Sequence, residues 1–175
     1  MAKMIDNKPS WKGEGKVWES LSVNLSGDNV VYNQREVNGR EYDFCVMAEN
    51  LGLVIIEVKG WDPDEIDVRG IDNIIVDGYD EPQTSPKKQA RAYRFAILNK
   101  IVEKYNASPL VLDMVCYPFI TQEQYVKTKL DIVSEPEYTI FKEDIEDGKK
   151  LNEKIQHLFT LNKFIPHADF SCDLM

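Results

Sequence analysis

The chain has 175 residues, 43% of them hydrophobic and 29% charged, a balance that suits one globular domain over residues 1–175 and excludes a disordered chain. A net charge of −9 excludes a protein that coats nucleic acid through surface lysine and arginine alone, and no run of about 18 apolar residues is present to cross a membrane. The start, Met1 to Asp6, has no apolar leader, and Cys45, Cys116 and Cys172 are odd in number and lack CxxC spacing, so a reduced, unexported, cytoplasmic protein without disulfides or structural zinc is expected.

In chain order, Val17, Leu21 and Leu25 recur at helical spacing and predict a first helix over Gly13 to Leu25. Val30 to Val37 and Glu41 to Ala48 read as strands joined by Asn38-Gly39, the dipeptide preferred in a tight hairpin turn. After the turn Asn50-Leu51-Gly52, the run Leu53 to Lys59 is apolar and β-branched, the pattern of a strand buried on both faces. Gly70 to Asp80 is ambiguous, with Ile74 to Val76 a strand. Ser85 and Pro86 then stand as N-cap and first residue of a helix continuing through Ala90, Tyr93, Ile97 and Ile101 to Tyr105. Leu110 to Ile120 predicts a strand interrupted by Pro118, Tyr138 to Phe141 a shorter one, and Asp147 or Gly148 to Phe159 a last amphipathic helix. The order implies an α/β fold, a mixed central sheet flanked by helices.

Three ionisable residues sit inside apolar strands: Asp43, Glu57 and Lys59. Side chains alternate along a strand, so Glu57 and Lys59 share a face about 7 Å apart, and pairing through the Asn50 to Gly52 turn brings Asp43 toward the same pocket. Burying two carboxylates and an ammonium is costly unless something neutralises them. Two carboxylates supplemented by water suit a hard cation, Mg2+ or Mn2+, with Lys59 beside it to orient or deprotonate a water or to stabilise negative charge. A buried Glu57–Lys59 ion pair, with Asp43 a solvated edge residue, produces the same sequence pattern.

Asp43, a turn and then Glu57-Val58-Lys59 resemble the signature of the PD-(D/E)XK nuclease superfamily. Within it the chain resembles the nuclease-related domain (NERD) family through Gly13-Glu14, Tyr42-Asp43-Phe44, Val54 to Trp61 and Ser85 to Ala90, in that order. The resemblance implies a restriction-endonuclease-like core and a Mg2+- or Mn2+-dependent nuclease that hydrolyses DNA in processing, repair or defence. It implies Asp43 and Glu57 as metal ligands, Lys59 as catalytic base, and Glu14 completing the metal site. For Glu14, a first-turn glutamate favoured by the helix dipole is the alternative.

Gln89 to Tyr93 resembles the Gln-x-x-x-Tyr motif of RecB-type nucleases, in which both side chains flank the metal; core packing is the alternative for Tyr93. Lys87, Lys88, Arg91 and Arg94 form the most basic stretch, expected to face phosphate, with a solvated helix face as the bland reading. Phe44 replaces a histidine found in many relatives, and the acidic Trp61 to Glu65 replaces a glycine-rich insert. His157 and His167 fall outside these blocks. The resemblance also implies DNA as a partner, bound weakly by this domain alone, and a helicase domain in the same or another chain. A catalytically silent interaction or dimerisation module, a homo-oligomer and an RNA substrate all stay open.

Overall fold

In the computed structural model, which describes residues 1–162, the elements run β1 (Lys3–Met4), α1 (Lys12–Asn24), β2 (Asn29–Val37), β3 (Arg40–Ala48), β4 (Gly52–Val58), β5 (Ile66–Gly70), β6 (Asn73–Val76), α2 (Pro86–Tyr105), β7 (Val111–Cys116), α3 (Gln122–Lys127), β8 (Thr139–Ile140), α4 (Lys142–Glu146) and α5 (Gly148–Asn162). His167 and Cys172 lie outside the described residues.

Six strands make one sheet in the order β1-β2-β3-β4-β7-β8, antiparallel from β2 to β4 and parallel elsewhere. The expected mixed sheet flanked by helices is therefore observed. All seven residues of β4 are buried. Its alternate side chains enter two different cores, which is why its sequence is apolar apart from Glu57. On one face Val54 and Ile56 meet Val17 and Leu21 of α1 and Leu151, Ile155 and Leu158 of α5. On the other Leu53 and Ile55 meet Ile97 and Ile101 of α2.

Local chemistry sets the connections. Asn38 and Gly39 take positive φ values of 52° and 76°, the left-handed pair that closes the β2–β3 hairpin. Gly52 has φ 139°, and a Cβ there would collide with the Leu110 carbonyl, so only glycine lets β4 start against the chain entering β7. The Ser85 hydroxyl accepts the Lys88 N–H at 3.3 Å and starts α2; Asn106 ends it in the left-handed region at φ 50°.

Some elements depart from the sequence expectation. The strand expected over Leu110 to Ile120 stops at Cys116, two residues before Pro118, which has no N–H for a ladder. Ile74 to Val76 does form a strand, but its partner is Ile66–Gly70 in a separate two-stranded sheet. That hairpin closes a third core, in which Trp61, Ile74 and Val76 pack with Val115, Tyr117 and Tyr125. Helix α3 was not expected, although Thr121 and Gln124, which form a reciprocal capping box, are a signal that could have found it. Among the described residues, no helix is long and apolar enough to cross a membrane.

Candidate active site

The ladder between β3 and β4 ends at the pair Phe44↔Ile56. Just beyond it, the Val58 N–H donates to Asp43 Oδ2 at 2.7 Å, so a carboxylate takes up a main-chain donor where strand pairing gives out. The same point is irregular on the other side. β2 and β3 pair at Asn33↔Phe44 and Arg35↔Tyr42 but skip the residues between, where Gln34 has φ 51°. Tyr42 and Phe44 consequently enter opposite cores although they are two residues apart. The kink re-aims Asp43 at the end of the sheet.

Glu57 is 5% exposed. Its Oε1 accepts a 2.8 Å hydrogen bond from Lys59 Nζ. The Lys59 main chain is fixed in turn, donating to the Cys116 carbonyl at 2.9 Å. Burial, and next the negative charge of Glu57, push the Asp43 carboxyl up to about 7, against the opposing pull of the Val58 N–H and Lys59. Burial also raises Glu57, partly offset by Lys59 and reinforced by Glu14. Two acids therefore share a site that one ammonium does not fully neutralise. The ion pair expected as an alternative is real, but it is accompanied by a second carboxylate.

Glu14 reaches this site because α1 begins against the end of β4. A Cβ on Gly13 would stand 3.2 Å from the Gly60 Cα, a contact that two glycines make possible. Glu14, Asp43, Glu57 and Lys59 then line one open cleft of about 680 Å³. Trp11, Lys12 and Phe119 also face it, as do Asp62, Glu65, Asp77 and Tyr79 from the β5–β6 side. Sequence reasoning missed this second wall, because the residues leading to β6 carried no clear periodicity.

Helix α2 divides into unlike positions. Tyr93 lies in the field of both carboxylates: burial first, then Glu57 and Asp43, raise its phenol. Gln89 donates to Thr84 Oγ1 at 3.0 Å. The basic stretch is not one phosphate-facing surface. Lys87 is buried and pairs with Asp113 Oδ2 at 2.6 Å, and Arg94 Nη1 pairs with Asp113 Oδ1 at 3.0 Å. The expectation that Lys87 and Arg94 face a phosphate is thus corrected: both are drawn inward to satisfy an acid that is 1% exposed on β7. Lys88 is exposed beside Asp72, and Arg91 is exposed. Asp113 itself was overlooked, although a lone acid inside Val111-Leu112-Asp113-Met114-Val115 is the same signal that singled out Glu57.

His157 lies on α5, away from the cleft lining. Cys45 and Cys116 are buried, and burial raises both thiols, which makes them poor nucleophiles.

The donor chemistry fits a hard cation. Asp43 and Glu57 offer oxygen, and the burial and neighbouring negative charge that raise them are what a divalent cation offsets. Among the described residues, no three His, Cys, Asp or Glu side chains gather into a ready-made metal cage.

No curated protein matches the chain. A crystal structure of a repair endonuclease from Pyrococcus abyssi aligns with a TM-score of 0.39 at 14% identity, over 77% of this chain and 48% of that one, too distant to bear on function. The chain spans about half the length of that endonuclease. Residues 9–118 match the family model described as nuclease-related domain, which takes in α1, the Asp43, Glu57 and Lys59 constellation and α2. With well over half of its residues inside that match, the chain belongs to the nuclease-related domain family.

Proposed function

We propose that this domain hydrolyses phosphodiester bonds of DNA with the help of Mg2+ or Mn2+, and that Asp43, Glu57 and Lys59 carry the reaction. The observation that supports the reading most is the pairing of a half-buried and a buried carboxylate, each raised, with the Lys59 ammonium bonded to Glu57 Oε1. Asp43 and Glu57 would hold the cation, each using the carboxylate oxygen not engaged by Val58 or Lys59. When bound, such a cation supplies Lewis acidity toward the phosphate and lowers the pKa of a water. Glu14 adds negative charge to the pair from the cleft wall. Held as a donor to Glu57, Lys59 is placed to orient a water and to stabilise charge developing on a phosphate oxygen.

Tyr93, near both carboxylates, and Gln89 would support the site from α2, and the exposed Lys88 and Arg91 remain as contacts for a DNA backbone. The net charge of −9 supports weak DNA binding by the domain alone and a helicase as the source of affinity, in the same chain or another.

The test is cleavage of supercoiled and single-stranded DNA with Mn2+, comparing the protein with Lys59→Ala and Asp43→Asn, alongside calorimetric titration of Mn2+. Metal-stimulated cleavage lost in both variants supports the reading. Equal cleavage by all three proteins would identify a contaminant.

The lack of a three-acid cage among the described residues favours a second reading, a silent module that keeps the fold and recruits partners or a second copy. Absence of both cleavage and measurable Mn2+ binding would decide for it.

A further inference from the structure

The cleft carries aromatic surface that the hydrolytic reading does not use. Trp11 is 70% exposed on the α1 side and Tyr79 is 57% exposed on the β6 side, and both line the cleft that holds Asp43 and Glu57. Scattered exposed aromatics need no explanation, but two exposed rings lining one acid-bearing cleft form a pattern.

Neither ring hangs on a slack segment. The Trp11 carbonyl accepts the Gly15 N–H at 2.8 Å, the first bond of α1. Tyr79 closes a tight turn, donating its N–H to the Val76 carbonyl at 3.2 Å, with Gly78 at φ 89°. The neighbouring Asp77 N–H is tied to the Glu65 carbonyl at 2.9 Å. The rings are held out into solvent by ordered backbone.

Charge then orients what lies between them. Asp62, Glu65 and Asp77 on the β5–β6 wall repel a phosphate backbone, whereas Lys12 stands on the α1 wall with its ammonium 5.5 Å from the centre of the Phe119 ring. A polyanion entering the cleft would therefore keep its phosphates near Lys12 and Lys59 and away from the β5–β6 wall, which leaves its bases to meet the exposed rings of Trp11 and Tyr79. Bases inside a duplex are stacked on each other and are unavailable for this; bases of a single strand or a frayed end are free.

We propose that Trp11 and Tyr79 stack unpaired nucleobases, so that the cleft selects single-stranded nucleic acid over duplex. The inference rests on the nuclease reading for the identity of the ligand, but its test does not depend on turnover.

The experiment is fluorescence anisotropy of a labelled oligothymidylate and of a blunt duplex hairpin, with Ca2+ present, on the wild-type protein and on Trp11→Ala, Tyr79→Ala and Trp11→Phe. The expected result is tighter binding of the single strand than of the hairpin. Each alanine variant should lose roughly ten- to hundredfold for the single strand, with little change for the hairpin. Trp11→Phe should retain most of the affinity while reducing the quenching of tryptophan emission expected on binding to the wild type, in which Trp61 also lines the cleft. Thermal melts of the variants confirm that these exposed changes leave the fold intact.

Unchanged single-strand affinity in both alanine variants, or a preference for the hairpin, overturns the proposal even if Mn2+-dependent cleavage is found. Loss of binding in the variants without any cleavage upholds stacking and removes the hydrolytic reading instead.

Discussion

Asp43 Oδ2 sits 2.7 Å from the Val58 main-chain nitrogen, so the carboxylate is located by the backbone of the strand that carries Glu57 and Lys59. Geometry is thereby independent of charge, because an amide oxygen can accept the same N–H. Asp43→Asn removes the buried charge and its repulsion with Glu57 while keeping that bond. The metal-free variant should be more stable than the wild type by about 1–3 kcal/mol, a discounted share of what so large a shift represents. It should also be inactive. Urea denaturation in EDTA checks the first statement, and a lower midpoint for the variant would refute it.

The same carboxyl sets a pH dependence. Its folded value near 7 lies above the ordinary 3.8, so between those values the folded protein binds the proton that the unfolded chain has released. Stability contributed by this group is therefore lost as pH rises from about 4 to about 7, and is level above that. Other acids, such as Asp6 with Arg35, run the opposite way. The quantity to measure is the difference between wild type and Asp43→Asn, whose gap should widen between pH 5 and pH 8 in EDTA. Saturating Mg2+ should narrow that gap.

The inward-facing cations of α2 give a prediction about stability. Lys87 and Arg94 share Asp113, and burial already lowers the Lys87 ammonium against the support of that acid. Asp113→Ala leaves buried positive charge without its counterion and should cost about 3–5 kcal/mol. Lys88→Ala, at an exposed pair with Asp72, should leave the urea midpoint unchanged. A small loss for Asp113→Ala would show that Lys87 finds water or releases its proton cheaply.

Gly13 can be tested against its partner. Replacing it with alanine gains helix propensity and meets the Gly60 Cα at 3.2 Å, so the two effects should nearly cancel. Gly13→Val adds bulk without that gain and should cost about 1–3 kcal/mol. By pushing α1 off the end of β4 it should also weaken Mn2+ binding in calorimetry. Unaltered metal affinity in a folded Gly13→Val protein would separate Glu14 from the site.

The fold was legible where periodicity and turn chemistry agreed. β4 announces itself by seven successive buried positions, and Asn38-Gly39 and Ser85-Pro86 mark their turn and helix start through backbone requirements that few other residues meet. Asp43, Glu57 and Lys59 stood out because charge inside an apolar strand is expensive. What was not legible is non-local. The inward turn of Lys87 depends on Asp113, 26 residues away, and the approach of Gly13 to Gly60 depends on packing, not on either neighbourhood. The hairpin of β5 and β6 was half seen, since Ile66 to Gly70 alternates apolar with charged residues over too short a span to separate from a loop.

That hairpin forms its own two-stranded sheet over its own core, while Asp43 and Glu57 belong to the six-stranded sheet. On the proposed reading, the acids that would hold the cation and Tyr79, which would meet a base, lie on different pieces of chain. A change of length or sequence in the hairpin would then alter what enters the cleft without disturbing the strands that carry Asp43 and Glu57.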